Sequence, residues 1–512
     1  MKINQINKLI SSGLLLLVLS SCGDTYLDTQ PSEKIGEHDA TATVNNLDYI
    51  LNGMHSYNYT KWEAQAYNGE HSLNIARDML GEDVINSTTG NGWYIGEARW
   101  IDHRNERSRL SKVPWLIYYN MILNANGILS NIEKPDLQGE KNIKERIKGE
   151  ALAYRAWCHF QLVQLYGKRY QKGVNNEQLG IIIRDSVGTS EKPRATVEEV
   201  YRFINNDLDQ AIALLKEASL SEKNRINYLT ALGIKSRVSL VQQNWEDAAK
   251  FATEAIALAK ERKIVLQSKE ALLSGFNDWN KNTEWIWAYK QATDQNKYFG
   301  HFNAYMSWNF SSSNIRSNPK LINKELYESM SQTDIRRMWW DPGTMDGDQW
   351  KPSESYEKNF PRPKNYLRMA YNTFKFTAEA YGNSSGDILL MRLAELYYIA
   401  AEAYAHAGQN EKAQDILNTI MVTRDPNYVK STKTGDELLN EIWRNRRIDL
   451  WGEGFRFTDL KRLNQPLNRS IVSNTPSNVS RKMEVPADDK EWQFLIPKEE
   501  LDSNPNVKQN EV

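Results

Sequence analysis

Residues 389–404 have the sequence LLMRLAELYYIAAEAY, and this stretch decides the fold class. Its apolar side chains recur every three or four positions, which is typical of one face of an α-helix. They are Leu389, Leu393, Leu396, Tyr397, Ala400, Ala401 and Tyr404. Gly408 then precedes a second amphipathic stretch, from about Glu411 to Val422. A short turn between two such stretches predicts a hairpin of antiparallel helices.

A second hairpin is predicted earlier in the chain, from helices over 228–242 and 245–260 with a turn around Asn244. When QNWEDA (243–248) is aligned with GQNEKA (408–413), the small residues between the helices coincide, as do the acidic residues near the start of each second helix. This pattern is tetratricopeptide-like. Because it is degenerate and interrupted, we expect hairpins embedded in a larger, mainly α fold and not a free-standing solenoid.

Further helices are predicted over 143–165 and from Thr196, where Thr196 and Glu199 have the spacing of a capping box. Three stretches between the helical blocks, 86–109, 277–310 and 339–383, are instead rich in Gly, Asn, Ser, Pro and aromatic residues. Long loops kept in a folded protein commonly carry the binding site. We therefore expect these irregular stretches to form the ligand face.

The N-terminus has the features of an export signal over residues 1–21, with Lys2 and Lys8 before an apolar run at 14–19. The run is too short to span a bilayer. It ends in Leu-Ser-Ser-Cys, which is similar to the bacterial lipobox that is cleaved before an acylated cysteine. The sequence predicts lipidation at Cys22 and a protein held at a membrane by acyl chains.

The rest of the composition indicates a charged, anchored body with no later membrane-spanning stretch: 25% of the residues are charged and the mean hydropathy is −0.65. The 64 basic and 65 acidic residues give a net charge of −1. This balance gives no reason to expect nucleic acid as a partner and favours neutral ligands. Once Cys22 is modified, Cys158 is the other cysteine of the sequence and cannot form an intramolecular disulfide.

Enzyme signatures are missing from the sequence, which contains no HExxH, GxSxG, GxxxxGK[ST] or CxxC. His159 lies in an apolar helical context, where we expect a packed or hydrogen-bonded ring and not a catalytic base. Asp346-Gly347-Asp348 lacks the later ligands of an EF-hand, so we interpret it as a solvated turn. We predict no catalysis, no cofactor and no metal.

Aromatic residues are unusually frequent, with 16 Trp and 25 Tyr, and several fall in the irregular stretches. We predict a carbohydrate-binding surface, because pyranose rings offer C–H faces to rigid aromatic platforms. The candidate platforms are Trp93, Tyr94, Trp100, Tyr298, Phe299, Tyr305 and Trp308. Sugar hydroxyls also need polar partners, for which the candidates are Asn91, Arg99, Asp102 and Arg104. The alternative is that these aromatic residues seal loops onto the body of the protein.

Several stretches together resemble the SusD/RagB family of surface nutrient-binding lipoproteins, in the family's order and over nearly the whole chain. They are CGDTYLDTQP (22–31), GEALAYRAW (149–157), LYG (165–167), LYESM (326–330), DIRR (334–337), LMRLAELY (390–397), AEA (401–403), RRIDL (446–450), EGFR (453–456), DLKR (459–462), FLIP (494–497), NP (504–505) and QN (509–510). The chain departs from the family pattern at Asp449, where Glu is usual, and at Met421, where Arg is common.

The resemblance implies a SusD-like fold, with an N-terminal part over 22–265 and a C-terminal part over 266–512. Charged motif residues inside apolar helices are tolerable only when they are paired, so we expect them to be structural. They are Glu395, Glu402, Arg447, Glu453, Arg456 and Asp459. The resemblance also implies a partner, a SusC-like TonB-dependent barrel of the outer membrane, over which the lipoprotein acts as a hinged lid.

Three rival functions stay open at this point. Related members of the family carry peptides or other nutrients, so the cargo need not be a glycan. A surface glycoside hydrolase is a candidate of another class, since 65 acidic residues would allow many carboxylate pairs. A tetratricopeptide adaptor would be intracellular, which conflicts with the predicted lipobox at Cys22.

Overall fold

Helices dominate the structure, a computed structural model that describes residues 41–188, 190–291, 299–347, 349–363 and 365–512. The predicted signal segment, Cys22 and Tyr298 lie outside the described residues. The predicted mainly α fold class is confirmed.

The longer α-helices carry the apolar core. The α-helices of the described residues are α1 (Val44–Ser56), α2 (Gly69–Met79), α3 (Ile95–Ala98), α4 (Arg109–Ile132), α5 (Lys141–Tyr166), α6 (Val197–Lys216), α7 (Tyr228–Val241), α8 (Trp245–Glu261), α9 (Lys269–Leu272), α10 (Asn303–Met306), α11 (Ser313–Ser317), α12 (Lys324–Glu328), α13 (Glu354–Asn359), α14 (Leu393–His406), α15 (Asn410–Met421), α16 (Gly435–Asp449), α17 (Arg456–Arg462), α18 (Ser477–Ser480) and α19 (Lys498–Ser503). Of these, α3, α9, α10, α11, α12 and α18 are single short turns. Single 3₁₀ turns cover Asp102–Arg104, Ile335–Trp339 and Lys490–Trp492.

The strands are short and antiparallel. They are β1 (Val84–Asn86), β2 (Trp285–Tyr289), β3 (Lys320–Ile322), β4 (Trp340–Asp341), β5 (Thr344–Asp346), β6 (Gln349–Lys351), β7 (Asn372–Thr373), β8 (Ile388–Arg392), β9 (Leu467–Asn468) and β10 (Glu484–Val485). The largest sheet has the order β1-β3-β7-β4, and β5–β6, β2–β8 and β9–β10 form separate pairs. This sheet joins two of the irregular stretches, because β1 belongs to 86–109 at its edge and β4 and β7 belong to 339–383.

The start of α6 confirms the predicted capping box. The Thr196 hydroxyl accepts a hydrogen bond from the Glu199 backbone N–H at 3.2 Å, and the Glu199 carboxylate accepts one from the Thr196 N–H at 2.8 Å. Both bonds satisfy backbone donors that have no partner within the helix. The long helix predicted over 143–165 is also present, as α5.

The two predicted hairpins, α7–α8 and α14–α15, turn in the same way. Gln243 and Gly408, which the alignment superposes, both adopt a positive φ, 57° and 73°. In each turn the next N–H donates to the carbonyl five residues back, from Asn244 to Ser239 and from Gln409 to Tyr404, both at 2.9 Å. This is the Schellman arrangement, in which a left-handed residue ends a helix. The hairpins are therefore confirmed, while the tetratricopeptide-like classification stays a prediction.

One boundary was predicted wrongly, since Leu389 belongs to a strand and α14 begins at Leu393. β8 pairs with the buried strand β2, with Trp285 opposite Arg392 and Tyr289 opposite Ile388. A short apolar run has no periodicity that separates a buried strand from a helix turn. The proposed boundary at residue 265 stays a prediction; side chains from both sides of it, such as Ala255 and Leu396, share one apolar core.

A network of buried charges lies where β8, α15 and α16 end. The Asp449 carboxylate accepts hydrogen bonds from Arg424 Nε at 2.9 Å, Arg392 Nη2 at 2.8 Å and Tyr398 Oη at 3.0 Å. Glu284 accepts from Arg424 Nη2 at 3.0 Å. Burial alone would raise the pKa of Asp449, but the neighbouring guanidinium groups outweigh it and hold that pKa well below its usual range.

The charged motif residues are paired, as predicted. Each side chain of the set has an oppositely charged partner within ion-pair distance: Glu395 with Arg237, Glu402 with Arg462, Arg447 with Asp83, Glu453 with Arg392, Arg456 with Glu82, and Asp459 with Arg446. Their structural role is confirmed.

Asp449→Asn is expected to lower the free energy of unfolding by about 3–5 kcal/mol, because it leaves buried guanidinium charges without their counter-ion. Urea titrations at pH 7 measure this loss. Asp415→Asn is the control, since Asp415 forms an exposed ion pair with Lys430 and should change stability by at most about 1 kcal/mol.

The difference in the free energy of unfolding between wild type and Asp449→Asn should depend on pH. Because the folded-state pKa of Asp449 is depressed, its stabilisation is present above the unfolded pKa of about 3.9 and is lost as the pH falls through the folded value. The difference between wild type and Asp449→Asn should be constant above about pH 5 and shrink below about pH 4. A difference that persists unchanged at pH 3 would contradict the assignment.

Candidate ligand face

Trp93, Tyr94 and Tyr305 come together, although they belong to two different irregular stretches. The Tyr305 ring lies edge-on to both others, with ring centroids 5.8 Å from Trp93 and 5.2 Å from Tyr94. Tyr94 and Tyr305 are only 4% and 3% exposed, and the Tyr94 hydroxyl donates to the Ala66 carbonyl at 2.8 Å. Trp93 is half-buried and is the member of this cluster that can offer a ring face to a ligand.

Trp100 belongs to the core and not to a surface. It is 3% exposed, its Nε1 donates to the Leu80 carbonyl at 2.9 Å, and its ring lies edge-on to Trp492 at 4.9 Å. Its backbone φ of 58° turns the chain between α3 and the following 3₁₀ turn. We therefore leave Trp100 out of the proposed ligand face.

The polar candidates beside Trp100 have structural partners. Arg99 Nε donates to the Val479 carbonyl at 2.9 Å, and Arg104 Nη1 donates to the Lys490 carbonyl at 3.1 Å. The Asp102 carboxylate lies so close to Gly96 that a Cβ there would meet Oδ2 at 2.1 Å. Burial raises the pKa of Asp102. Arg99 and Arg104 fasten the 86–109 stretch to the C-terminal part of the chain, whereas Asp102 packs within the stretch itself.

Trp308 lies in a separate aromatic cluster. Its Nε1 donates to the Thr377 hydroxyl at 2.9 Å, and its ring centroid is 5.4 Å from Phe360 and 5.8 Å from Phe374. The side chain is half-buried. Trp308 thus seals part of the 339–383 stretch while keeping some surface in solvent.

Residues 310–318 contact both the 86–109 and the 339–383 stretches. On one side the Asn91 amide donates to the Ser313 hydroxyl at 3.0 Å. On the other, the Ser311 N–H donates to the Tyr381 carbonyl at 2.8 Å. Because residues 311 and 313 are at most about 7 Å apart along the chain, Asn91 and Tyr381 flank the same short segment.

The exposed side chains near this segment are mostly aromatic or polar. Tyr381 is 51% exposed at the tip of the turn formed by residues 380–383, and Phe299 is 36% exposed, with its ring 6.3 Å from Phe310. Arg316 is half-buried on α11, and in the described part of the chain its guanidinium has no ion-pair partner. We call Asn91, Trp93, Phe299, Arg316 and Tyr381 the ligand face.

Sequence reasoning selected Asn91, Trp93 and Phe299 but not Tyr381 or Arg316. A signal for Tyr381 exists, because it lies in AYGNSSG (380–386), a turn-forming run with no other large apolar residue. An aromatic side chain in such a run has nothing nearby in sequence to pack on. Arg316 has no comparable signal.

His159 has the predicted packed role. It is buried, its Nδ1 lies 2.8 Å from the Arg155 carbonyl, and its Nε2 accepts from the Arg184 N–H at 3.2 Å. Burial lowers the pKa of His159 to about 3. Asp346 is exposed on β5 and pairs with Lys351, whereas Asp348 lies outside the described residues.

The described ranges contain no group of three or more His, Cys, Asp or Glu side chains arranged to hold a metal ion. No helix within those ranges combines the length and the apolar character needed to cross a membrane.

Comparison with known proteins assigns the molecule to a family of mainly helical proteins. Residues 25–240 match a SusD-like family model described as "Starch-binding associating with outer membrane", and residues 274–512 match the model of the SusD family. The chain belongs to the SusD/RagB family.

Individual relatives are distant in sequence but similar in length. A SusD-like protein of Bacteroides ovatus is 23% identical over 90% of this chain and 83% of its own length. The SusD-like protein P38 of Formosa agariphila is 22% identical over 88% of this chain and 89% of its own. The crystal structure of a SusD-like carbohydrate binding protein from Bacteroides vulgatus superposes with a TM-score of 0.75, at 24% identity, over 91% of this chain and 97% of that one.

Stability measurements should separate core aromatics from ligand-face aromatics. Trp100→Ala is expected to lower the free energy of unfolding by about 3–5 kcal/mol, because it empties a buried site. Tyr381→Ala should change it by less than about 0.5 kcal/mol, because the ring is half in solvent. Urea titration of both variants measures the contrast, and similar losses in the two would mean that Tyr381 is also part of the core.

Proposed function

We propose that the chain captures oligosaccharides outside a Gram-negative cell, binds them on the ligand face, and delivers them to a SusC-like TonB-dependent barrel without catalysing a reaction on them. The observation that carries this proposal is that three separate loop stretches each contribute a partly exposed aromatic side chain, Trp93, Phe299 and Tyr381. Two of these stretches contact residues 310–318, through Asn91 and the Tyr381 carbonyl.

The chemistry of the face suits a sugar. Trp93, Phe299 and Tyr381 present rigid apolar surfaces on which the C–H face of a pyranose can stack. Asn91 and Arg316, the polar members of the ligand face, offer amide and guanidinium groups with which sugar hydroxyls could form hydrogen bonds. A hydroxyl removed from water without such a partner costs about 1–3 kcal/mol, so rings and polar groups must occur together.

Family membership and the relatives support the carbohydrate assignment. The matching family model is described as starch-binding, and the Bacteroides vulgatus protein of similar fold is described as carbohydrate binding. By the same argument we propose outer-membrane association, with Cys22 as the acylated residue.

A membrane anchor on this protein would make the capture of oligosaccharides useful for transport. A lipoprotein tethered beside its transporter holds bound ligand at high effective concentration over the pore. Hinged closure of the lipoprotein over the barrel would then commit the ligand to transport.

Trp93→Ala and Tyr381→Ala should each weaken oligosaccharide binding by about two- to tenfold, the effect of losing one aromatic contact of about 0.5–1.5 kcal/mol. A glycan array and a peptide library probed with residues 23–512 would first select the ligand, and calorimetry would then compare the variants. Tyr49→Ala is the matched control, because Tyr49 is a 68% exposed tyrosine on α1. Binding of peptides alone would replace the carbohydrate assignment by the peptide one.

Cys22→Ala should abolish acylation and release the protein from the cell envelope, because the anchor would be lost. Metabolic labelling with palmitate, followed by protease treatment of whole cells, measures both effects. Cys158→Ala is the control, since Cys158 is buried and should not be labelled. Unlabelled wild-type protein would refute the anchoring.

A further inference from the structure

Arg362 is a positively charged side chain for which the described part of the chain provides no ion-pair partner. Its Nε and Nη2 atoms are buried and have no hydrogen-bond partner in the described part of the chain. Burial and the neighbouring Arg368 together lower the pKa of Arg362 to about 10, so the group stays charged at neutral pH. Buried polar atoms are nearly always paired, and an unpaired one calls for an explanation.

Two acidic residues line the same cavity as Arg362, and both already have other partners. Glu357 forms an ion pair with Arg368. The Asp341 carboxylate accepts hydrogen bonds from the Ser353 hydroxyl at 2.7 Å and the Gly343 N–H at 2.8 Å. No salt bridge to Arg362 is formed within the described ranges. Within the described ranges these two nitrogen atoms therefore have no acceptor, and a bound ligand is a candidate source of one.

A small cavity adjoins this guanidinium. Trp350, Tyr356, Phe360 and Phe374 line its walls together with the charged side chains of Arg362, Arg368, Asp341 and Glu357, and its volume is about 20 Å³. That volume holds little more than one water-sized group, so a sugar ring does not fit. Only the terminal oxygen atoms of a substituent that projects from a ring can enter it, and these are the atoms that would contact the guanidinium.

The cavity is next to the ligand face. The Arg362 guanidinium lies over the Tyr366 ring, 5.3 Å from its centroid, and the Tyr366 ring lies 6.3 Å from that of Tyr381. On the other side, the Phe360 and Phe374 walls contact Trp308. A sugar stacked on Tyr381 could therefore direct a substituent towards Arg362.

We propose that the captured oligosaccharide is acidic and that Arg362 binds one of its anionic substituents, either the carboxylate of a uronic acid or a sulfate ester. This inference rests on the proposed function. A planar guanidinium is well suited to both groups, because it can donate two parallel hydrogen bonds to adjacent oxygens. The anionic substituent of the ligand would serve as the counter-ion of Arg362.

The test uses oligosaccharide pairs that differ only in charge: hexagalacturonate and its methyl ester, and a sulfated carrageenan hexasaccharide and its desulfated form, with maltohexaose as a neutral reference. We expect residues 23–512 to bind one acidic member at least tenfold more tightly than its uncharged counterpart. The carboxylate and sulfate pairs distinguish the two sources of charge. Tighter binding of the uncharged members or of maltohexaose would overturn the inference.

Arg362→Gln should weaken binding of the preferred acidic oligosaccharide by about ten- to a hundredfold and leave its uncharged counterpart unaffected, since charged hydrogen bonds are worth about 1.5–3 kcal/mol. Arg337→Gln is the matched control. Arg337 also stacks on a tyrosine, Tyr327, but its guanidinium already donates to the Tyr327 and Met330 carbonyls. This control should change affinity less than twofold.

The possible results distinguish specificity for acidic oligosaccharides from the capture of oligosaccharides in general. Equal affinity of the wild type for the acidic and the uncharged member of each pair, or equal affinity of wild type and Arg362→Gln for the acidic member, would overturn the acidic specificity and leave the glycan-capture proposal standing. No binding to any oligosaccharide on the array would refute the capture proposal itself. Melting temperatures of both variants verify that they are folded, and Arg362→Lys should recover only part of the affinity because it loses the paired donors.

Discussion

Buried charge that must be neutralised constrains this fold more than any single apolar contact. Asp449 and Glu284 are both fully buried, and their carboxylates are held by Arg392 and Arg424. These residues come from the loop before β2, the end of β8, the turn after α15 and the end of α16. Ion pairs of this kind need not stabilise a protein relative to apolar residues, but removing one partner is costly. The four segments are therefore obliged to meet in one arrangement.

Lys375 connects the buried ion pairs to the 339–383 stretch, which also carries Tyr381 of the ligand face. Its Nζ donates to the carbonyls of Asp449 and Trp451, at 2.8 and 2.7 Å, and to the Glu453 carboxylate at 2.6 Å. The next residue, Phe376, accepts a hydrogen bond from the Trp308 N–H at 3.1 Å. The 339–383 stretch, although irregular, is thus fastened near its C-terminal end to the ion-pair network. Only its outer parts, including the turn that carries Tyr381, are left to contact a ligand.

The sequence carried enough information for the helices because their physics is local. Periodicity, the Thr196 capping box and the left-handed turn residues act over a few positions, so α5, α6 and both hairpins could be predicted. Leu389 shows the limit, since its strand is defined by pairing with β2, about a hundred residues away. The ligand face is non-local throughout. Trp93, Tyr94 and Trp100 look alike in sequence, and only tertiary packing decides that the first faces solvent and the last faces Trp492.

Local and non-local information also differ for charge: the net charge follows from the sequence, but the pairing of charges depends on tertiary structure. A net charge of −1 pointed towards neutral ligands, but that sum counts cations that the fold already neutralises, such as Arg392 and Arg424. A ligand encounters the local field, to which paired charges contribute little and an unpaired, partly buried cation contributes much. Arg362 is such a cation, and its stacking partner Tyr366 adjoins the exposed ring of Tyr381. In a protein whose acidic and basic residues balance, the charges that the fold leaves unpaired thus determine its specificity for charged ligands. Which charges these are becomes clear only when the ion pairs have been assigned in three dimensions.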